Sequence, residues 1–240
     1  MKYLVVTLLL LFLQDNNRAS ERTVKEETVV SITSDGWCPY TCLDTEENKG
    51  LFHDVTQAAY AEVGFTVDYS TSSWVRAINN VKSGKIDILM TANTEQGKDF
   101  ILYTGFYVAD ATAFAVLKDS NIQISKGADL TPYHIGKVEE YDYDETGVWE
   151  PYIQNHPNVL NITSSAGENH LLELVNKKRI ELAVLNRDVA RHYISTDQKL
   201  QNIRLIHTDI SSDLYVGFHK SERGTRLREK FIEGFKALML

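Results

Sequence analysis

Along residues 28–91 the spacing of apolar side chains changes repeatedly. Runs with the short, alternating or continuous apolar pattern of strands are separated by runs in which apolar residues recur every three or four positions, as on one face of a helix. The predicted strands are 28–33, 65–70 and 85–91, and the predicted helices are 50–64 and 73–83. This β-α-β-α-β order is typical of a parallel sheet with helices on both faces.

The same order returns later in the chain, with strands at 134–140, 158–163 and 180–185 and helices at 148–154 and 168–178. Single residues repeat too. Five positions are matched 94 residues later: Val81, Lys85, Ile86, Asp87 and Ile88 by Val175, Arg179, Ile180, Glu181 and Leu182. Such a repeat indicates two similar lobes. A serine pair precedes a predicted helix in each lobe, at 72–73 in the first and at 164–165 in the second. We expect these serines to supply N-caps.

Two further strand-like runs, 113–118 and 214–219, lie between and after the repeats. They predict that the chain crosses between the lobes twice, which makes a hinge. The last segment, 224–240, has apolar residues at helical spacing and is expected to pack back on the first lobe. The fold class is therefore α/β with two lobes. The first lobe is predicted to comprise residues 24–115 with 218–240, and the second 116–217.

The first twenty residues have the order of a secretory signal peptide. Lys2 precedes an unbroken apolar run at 4–13, which is too short to span a membrane, and a polar segment follows at 14–20. The predicted signal peptide is 1–20, with cleavage anywhere from 19 to 27. The alternative, a buried N-terminal strand or helix, finds no amphipathic pattern to support it. The mature protein is thus expected to be exported and not inserted in a membrane.

Acidic residues outnumber basic ones, 33 to 25, which gives a net charge of −8. The basic residues are scattered along the chain, an arrangement that argues against a nucleic-acid-binding surface. Small molecules are the expected partners. No metal site or cofactor motif is predicted.

Both cysteines of the chain, Cys38 and Cys42, lie in one short loop after the first predicted strand. In an exported protein the expected state is a disulfide, which would stiffen this loop. The alternative is a metal site that uses both thiolates with His53, but it lacks four ligands at the spacing zinc requires.

In a parallel α/β sheet, ligands bind beyond the carboxyl ends of the strands. The loops at those ends are rich in aromatic, amide and hydroxyl side chains. The residues predicted to contact a ligand are Trp37, Tyr40, Trp74, Arg76, Thr91, Asn93, Tyr141, Tyr143, Ser165 and Asn186. Trp74 has the alternative of stapling its helix to the core, and Arg76 that of pairing with a carboxylate. Thr91, Asn93 and Asn186 have the alternative of satisfying backbone groups.

Several segments together resemble the bacterial extracellular solute-binding proteins of family 3, the periplasmic receptors of amino-acid uptake systems. They are FHDVTQAAYAEVGFTVDY after Gly50, SSWVRAINNVKSGKIDILM from Ser72, IGKVEEYDY from Ile135 and NKKRIELAVLN from Asn176. The Trp-Cys-Pro-Tyr stretch at 37–40 further resembles a subgroup of these receptors. The resemblance implies a type II periplasmic-binding-protein fold, in which two lobes close on a ligand.

The charged residues that such receptors use for an amino acid are absent here. Family members usually place an arginine after the third strand for the ligand carboxylate, but this chain has Thr-Glu-Gln-Gly at 94–97 and then Lys98. They usually present an aspartate after the last strand of the second lobe, where this chain has Asn186, with Asp188 two residues on. Aromatic faces and the acidic run 139–145 make a cationic ligand one alternative.

The resemblance predicts a monomeric periplasmic receptor that captures a small polar solute for an ABC permease or a membrane sensor. Two alternatives remain. One is an enzyme of the same fold, dehydratase-like, with Glu95, Glu140 and Asp188 as candidate titratable groups. The other is a sensory module whose pocket no longer binds a solute.

Overall fold

The computed structural model describes residues 28–93, 98–144 and 147–240, with only the backbone of 104, 106, 107 and 110. The predicted signal peptide lies outside this range. The described residues form an eight-stranded sheet in the order β2-β1-β3-β8-β4-β7-β5-β6. Its strands are β1 Val29–Ser34, β2 Thr66–Thr71, β3 Ile88–Ala92, β4 Phe100–Leu117, β5 Ile135–Val138, β6 Val159–Ile162, β7 Leu182–Asn186 and β8 Ile203–His219.

Six α-helices flank the sheet in the described part of the chain. They are α1 Leu51–Glu62, α2 Trp74–Lys82, α3 Glu150–Gln154, α4 Gly167–Asn176, α5 Arg187–Thr196 and α6 Glu222–Leu238. Five were predicted, and α5 was not. The prediction of serine caps is wrong for the second repeat, because α4 begins after Ala166. Ser73 does precede α2, but its side chain makes no capping hydrogen bond.

The sheet consists of two parallel triplets joined by two long antiparallel strands. Strand β1 pairs in parallel with β2 and β3 in the first half, and β5 pairs in parallel with β6 and β7 in the second. Strands β4 and β8, of 18 and 17 residues, pair with each other through both halves. These strands are the two predicted crossings. They begin well before the predicted runs at 113–118 and 214–219.

The internal repeat is visible in the hydrogen bonding. Strands β3 and β7 begin 94 residues apart, at Ile88 and Leu182. Just before each, a carboxylate accepts from the backbone N–H of a neighbouring strand region: Asp87 from Ser31 at 3.0 Å and Glu181 from His134 at 3.0 Å. The two acidic residues therefore have the same structural task, which explains why they match in sequence.

The C-terminal helix α6 packs on the first half of the sheet, as predicted. Phe231 is fully buried beside Tyr60 of α1, whose hydroxyl donates to the carbonyl oxygen of Leu227 at 2.9 Å. Arg223, near the start of α6, contacts Asp87 with its Nε 2.7 Å from Oδ1. These contacts anchor the end of the chain beside β1 and β3, so the first half is built from both ends of the described chain.

Candidate functional site

A small cavity of about 30 Å³ lies between the two halves, where the carboxyl ends of β1, β2, β3 and β5 meet. Its lining residues are Trp37, Trp74, Thr91, Asn93, Tyr141, Asp142 and Leu214. Five of these are among the ten residues that the sequence nominated for ligand contact. The first half supplies four of the five and the second half supplies Tyr141, so the cavity is shared between halves.

The loop after β1 forms one wall of the cavity. The predicted disulfide Cys38–Cys42 is confirmed, and Trp37 and Thr41 exchange backbone hydrogen bonds across the same loop. Only 4% of Trp37 is exposed, and its Nε1 has no hydrogen-bond partner among the described residues. Tyr40 is not part of the lining but packs against Trp37, with ring centroids 5.1 Å apart. The loop thus presents the Trp37 indole and supports it from outside.

The metal alternative for these cysteines is not supported. Cys38, Cys42 and Glu46 do bring possible ligand atoms within 4.8 Å of one another, but the disulfide uses both sulfur atoms. The third proposed ligand, His53, instead has its Nδ1 2.9 Å from a carboxylate oxygen of Asp54.

Trp74 and Tyr141 bring the two halves together at the centre of the cavity. The Trp74 Nε1 donates to the carbonyl oxygen of Glu140 at 3.2 Å, and the Tyr141 ring meets the indole edge-on at 5.6 Å. Trp74 is also part of a buried apolar cluster with Ala77 and Val81 of its own helix. Its two predicted roles are therefore compatible, because one side chain both anchors α2 and lines the cavity.

Asp35, directly after β1, is a buried carboxyl group adjoining this centre. It is 1% exposed, and the Tyr141 hydroxyl donates to its Oδ2. Its Oδ1 has no hydrogen-bond partner among the described residues. Burial raises the pKa of Asp35 to about 7, and the hydrogen bond from Tyr141 opposes that rise. Burial, with the Asp35 charge second, raises the pKa of Tyr141 well above its usual value.

Further hydrogen bonds cross between the halves and hold them together. The backbone N–H of Gly36 donates to the carbonyl oxygen of Ser165, and the Tyr193 hydroxyl donates to the carbonyl oxygen of Gly36 at 3.3 Å. A Cβ at Gly36 would lie 2.7 Å from that Ser165 oxygen, so the close approach requires glycine. Asn93 Nδ2 donates to Asp142 Oδ2 at 3.4 Å. The structure is therefore a closed form.

Two residues beside the cavity have left-handed backbone conformations that side chains other than glycine rarely adopt. Thr91 has φ 64° and Glu140 has φ 63°. Thr91 is β-branched, for which this region is especially unfavourable, and its Oγ1 lies 3.2 Å from the Ser34 hydroxyl. Such conformations cost about 1–3 kcal/mol each and cluster at functional sites. Their position at the ends of β3 and β5 supports a functional role for the cavity.

Two of the nominated residues are committed to backbone hydrogen bonds. Asn186 precedes α5, and its side-chain oxygen accepts from the N–H groups of Asp188 and Val189, both at 2.8 Å. Tyr143 is 2% exposed, and its hydroxyl accepts from the N–H of Val138 at 2.9 Å. Neither lines the cavity. Asn186 therefore acts as the helix cap that was one of its predicted alternatives.

Arg76 and Ser165, the remaining nominated residues, are exposed and do not line the cavity. Ser165 contributes its backbone carbonyl to the contact with Gly36. The sequence reasoning missed Asp35 and Asp142, because the nominated loops began one residue later at Gly36 and the acidic run was treated only as a source of negative charge. The usable signal was an aspartate immediately after a strand.

Residues 29–239 match the model of the bacterial extracellular solute-binding proteins, family 3. The chain belongs to this family. Members are solute-binding proteins rather than enzymes, and the two-lobe α/β architecture described above agrees with the assignment. No match was found among curated proteins. No helix within 28–93, 98–144 and 147–240 combines the length and apolar character needed to cross a membrane.

Solved structures of similar fold include three instructive ones. An ABC uptake transporter substrate-binding protein from Streptococcus pneumoniae with bound histidine is 19% identical, with 89% of this chain and 88% of that chain aligned and a TM-score of 0.74. An ancestral arginine-binding protein bound to glutamine is 17% identical over 88% and 92%, with a TM-score of 0.73. A histidine kinase sensor domain with similarity to periplasmic binding proteins is 18% identical over 88% and 90%, with a TM-score of 0.71. These likenesses establish the fold.

Asp188 and Lys98, the described charged residues near the positions expected of a family 3 amino-acid receptor, do not line the cavity. Asp188 forms a two-pronged pair with Arg187, at 3.1 and 3.0 Å, and lies 3.3 Å from Arg191. The hydrogen bonds from Arg187 hold the pKa of Asp188 below its usual value. Lys98 is exposed. Residues 94–97, and with them the enzyme candidate Glu95, lie outside the described residues.

Proposed function

We propose that this protein is a periplasmic receptor that captures a small polar solute, amino-acid-like or related, in the cavity between its two lobes. The observation that carries the proposal is a cavity lined from both halves of the sheet and closed by hydrogen bonds between them. The lobes are residues 24–115 with 218–240 and residues 116–217.

The lining of the cavity suits a small ligand. Ligand pockets usually measure about 300–1,000 Å³ and combine apolar walls with a few polar groups. This cavity combines the aromatic rings of Trp37, Trp74 and Tyr141 with the polar tips of Asn93 and Asp142, but at about 30 Å³ it is far smaller. A ligand would therefore enter only after the halves separate, and closure around it would leave them further apart than in this structure.

Closure would follow from contacts that a ligand makes with both halves at once. In the open form the Gly36–Ser165 and Asp35–Tyr141 hydrogen bonds are broken and their groups are solvated. A solute that touches Trp37 on one side and Tyr141 on the other binds the closed form better, and so shifts the population towards it. The two long strands that join the halves serve as the hinge.

The receptor would act as a monomer after signal removal and present its closed form to a membrane partner. An ABC permease is the partner that family membership favours, and a sensor protein is the second candidate. The family of binding proteins favours capture over dehydratase-like catalysis. A degenerate pocket is disfavoured by the strained residues Thr91 and Glu140 at its rim, since strain without function brings no advantage.

The test is a thermal-shift screen of residues 28–240 against amino acids, amines, organic acids and sugars, followed by calorimetry. A ligand at 100 times its dissociation constant adds about 2.7 kcal/mol, on the order of 5–10 °C for a chain of this size. Trp37→Phe should weaken binding of the hit, and Trp149→Phe, the same change at a tryptophan outside the lining, should weaken it less. A flat response across the whole panel would refute capture.

A further inference from the structure

Trp37 differs from the other polar residues that line the cavity. Its indole is buried, with 4% of the residue exposed, and the Nε1–H has no acceptor among the described residues. A buried donor without an acceptor costs the free energy of its desolvation, and such groups are rare in native proteins. The other polar lining residues all make side-chain hydrogen bonds within the protein: Trp74, Thr91, Asn93, Tyr141 and Asp142. The Trp37 N–H therefore calls for an acceptor that the described chain does not supply.

The second indole of the cavity shows which kind of acceptor suits this place. Trp74 is as deeply buried as Trp37, and its Nε1 donates to the backbone carbonyl oxygen of Glu140, 3.2 Å away on the other half of the protein. Closure thus provides one of the two indoles with a carbonyl oxygen of the protein. It leaves the other indole for an oxygen that comes from outside the described chain.

The loop after β1 holds the Trp37 indole in a fixed position. The Cys38–Cys42 disulfide closes the loop, and Tyr40 packs against the indole with ring centroids 5.1 Å apart. Asp35 also has an oxygen atom without a partner among the described residues, Oδ1, so these two unpaired groups do not bond to each other. A donor held in this way is preorganised, and a solute gains its hydrogen bond without the cost of ordering the side chain.

The chemistry of an indole N–H limits what it can recognise. It is an uncharged donor with no acceptor capacity, so it binds an oxygen atom and disfavours groups that present only N–H, such as ammonium and guanidinium. Among oxygen groups, a hydroxyl brings a hydrogen atom that needs a second acceptor. A carboxylate brings a charge that one neutral donor does not offset on burial. An uncharged carbonyl oxygen has neither cost.

We propose, on the basis of the receptor function above, that Trp37 determines the specificity of the cleft by donating to an uncharged carbonyl oxygen of the solute, of the amide or urea kind. The rings of Trp37, Trp74 and Tyr141 pack on the neighbouring carbon atoms. The solute enters when the halves separate, because a cavity of about 30 Å³ has room for only about two water molecules.

The decisive experiment compares compounds that have nearly the same shape but differ at this oxygen. Citrulline has a urea oxygen where arginine has a guanidinium N–H group. Glutamine and asparagine have an amide where glutamate and aspartate have a carboxylate. All six are titrated into residues 28–240 by calorimetry. At least one of citrulline, glutamine and asparagine should bind, about tenfold or more tightly than its charged counterpart. Tighter binding of the charged counterpart would overturn the inference.

Nuclear magnetic resonance tests the hydrogen bond itself in the unaltered protein. The chain has three tryptophans, so protein labelled with nitrogen-15 gives three indole N–H signals, and Trp37→Phe identifies one of them. When the preferred compound is added, the Trp37 proton signal should move downfield, because an acceptor deshields the proton. The Trp149 signal, from an indole outside the lining, should move less. A Trp37 signal that stays in place at saturation would overturn the role of this residue.

Replacement of Trp37 by benzothienylalanine removes the N–H and keeps the shape of the rings, and the same replacement of Trp149 is the matched control. At Trp37 it should weaken binding of the preferred compound about tenfold or more, and at Trp149 less than about twofold. Without solute it should not lower the melting temperature at Trp37, because the N–H that it removes has no acceptor in the described chain. Unchanged affinity, or a lower melting temperature, would contradict the inference.

The outcomes separate this inference from the receptor proposal. An amine, a sugar or an organic acid that binds where no compound with an uncharged carbonyl does would overturn the role of Trp37 and leave the receptor standing. A complete lack of binding across the thermal-shift panel and these six compounds would instead remove the receptor function on which the inference rests.

Discussion

The buried carboxyl of Asp35 makes stability depend on pH in a direction opposite to that of most acidic residues. With an ordinary pKa of 3.8 in the unfolded chain and about 7 in the folded protein, the folded state holds its proton more tightly. Stability therefore falls as pH rises from about 4 to 7, and levels off above 7. Between pH 5 and pH 8 the loss is roughly 2.5 kcal/mol, because each pKa unit corresponds to about 1.4 kcal/mol.

Asp35→Asn removes this proton-linked loss while keeping an oxygen for the Tyr141 hydroxyl. We expect the free energy of unfolding of the variant, relative to wild type, to increase by roughly 2.5 kcal/mol from pH 5 to pH 8. Urea unfolding of both proteins at the two pH values, followed by tryptophan fluorescence, measures the change. Comparison within each pH value cancels the other titrating groups, and Asp68→Asn, at an exposed position on β2, controls for net charge.

A difference between variant and wild type that stays constant from pH 5 to pH 8 would refute this reasoning. It would mean that Asp35 titrates near its ordinary pKa, and hence that water reaches a carboxyl group which the closed structure buries. A pH-dependent difference of the opposite sign would require a cation beside Asp35.

Three further predictions concern the loop, the closure and the core. Replacing both Cys38 and Cys42 with serine should weaken solute affinity strongly and lower the melting temperature only modestly. The five-residue ring adds only about 2 kcal/mol to stability by loop-closure estimates. Unchanged affinity would contradict this prediction. Gly36→Ala should hinder closure because its Cβ would clash with the Ser165 carbonyl. With solute present, small-angle X-ray scattering should give the variant a larger radius of gyration than wild type. An equal radius would count against this prediction. Tyr60→Phe should cost about 1–2 kcal/mol in urea unfolding, since it leaves the Leu227 carbonyl on α6 without its donor; a neutral result would show that water replaces the hydroxyl.

The repeated β-α-β-α-β pattern predicted the fold well, because both triplets of parallel strands rest on local apolar spacing. The match of Asp87 with Glu181 was visible in sequence since each accepts a hydrogen bond from the same kind of site. The helix α5 was missed because it follows β7 directly, with Asn186 serving both as the last residue of the strand and as the cap of the helix. The first parts of β4 and β8 were missed because their apolar pattern is irregular.

The candidate site was predictable in its location but not in its chemistry. Sheet topology predicts that the loops at the carboxyl ends of the strands meet at one site. Five residues of these loops do line one cavity: Trp37, Trp74, Thr91, Asn93 and Tyr141. The burial of an uncompensated carboxyl group depends on how closely the two halves approach. That distance is set by contacts between residues more than a hundred positions apart, which spacing along the chain does not reveal.

The continuous strands β4 and β8 have a mechanical consequence. Their pairing is interrupted twice, between Tyr103 and Val108 and between Ala111 and Ala113, and is regular on both sides. Opening of the cleft should therefore concentrate bending of β4 and β8 at these two interruptions. The regularly paired segments on either side should stay rigid. The resistance of the sheet to bending would return the two halves to their resting arrangement. Release of a solute would therefore depend on the elasticity of the strand backbone and not on a flexible linker.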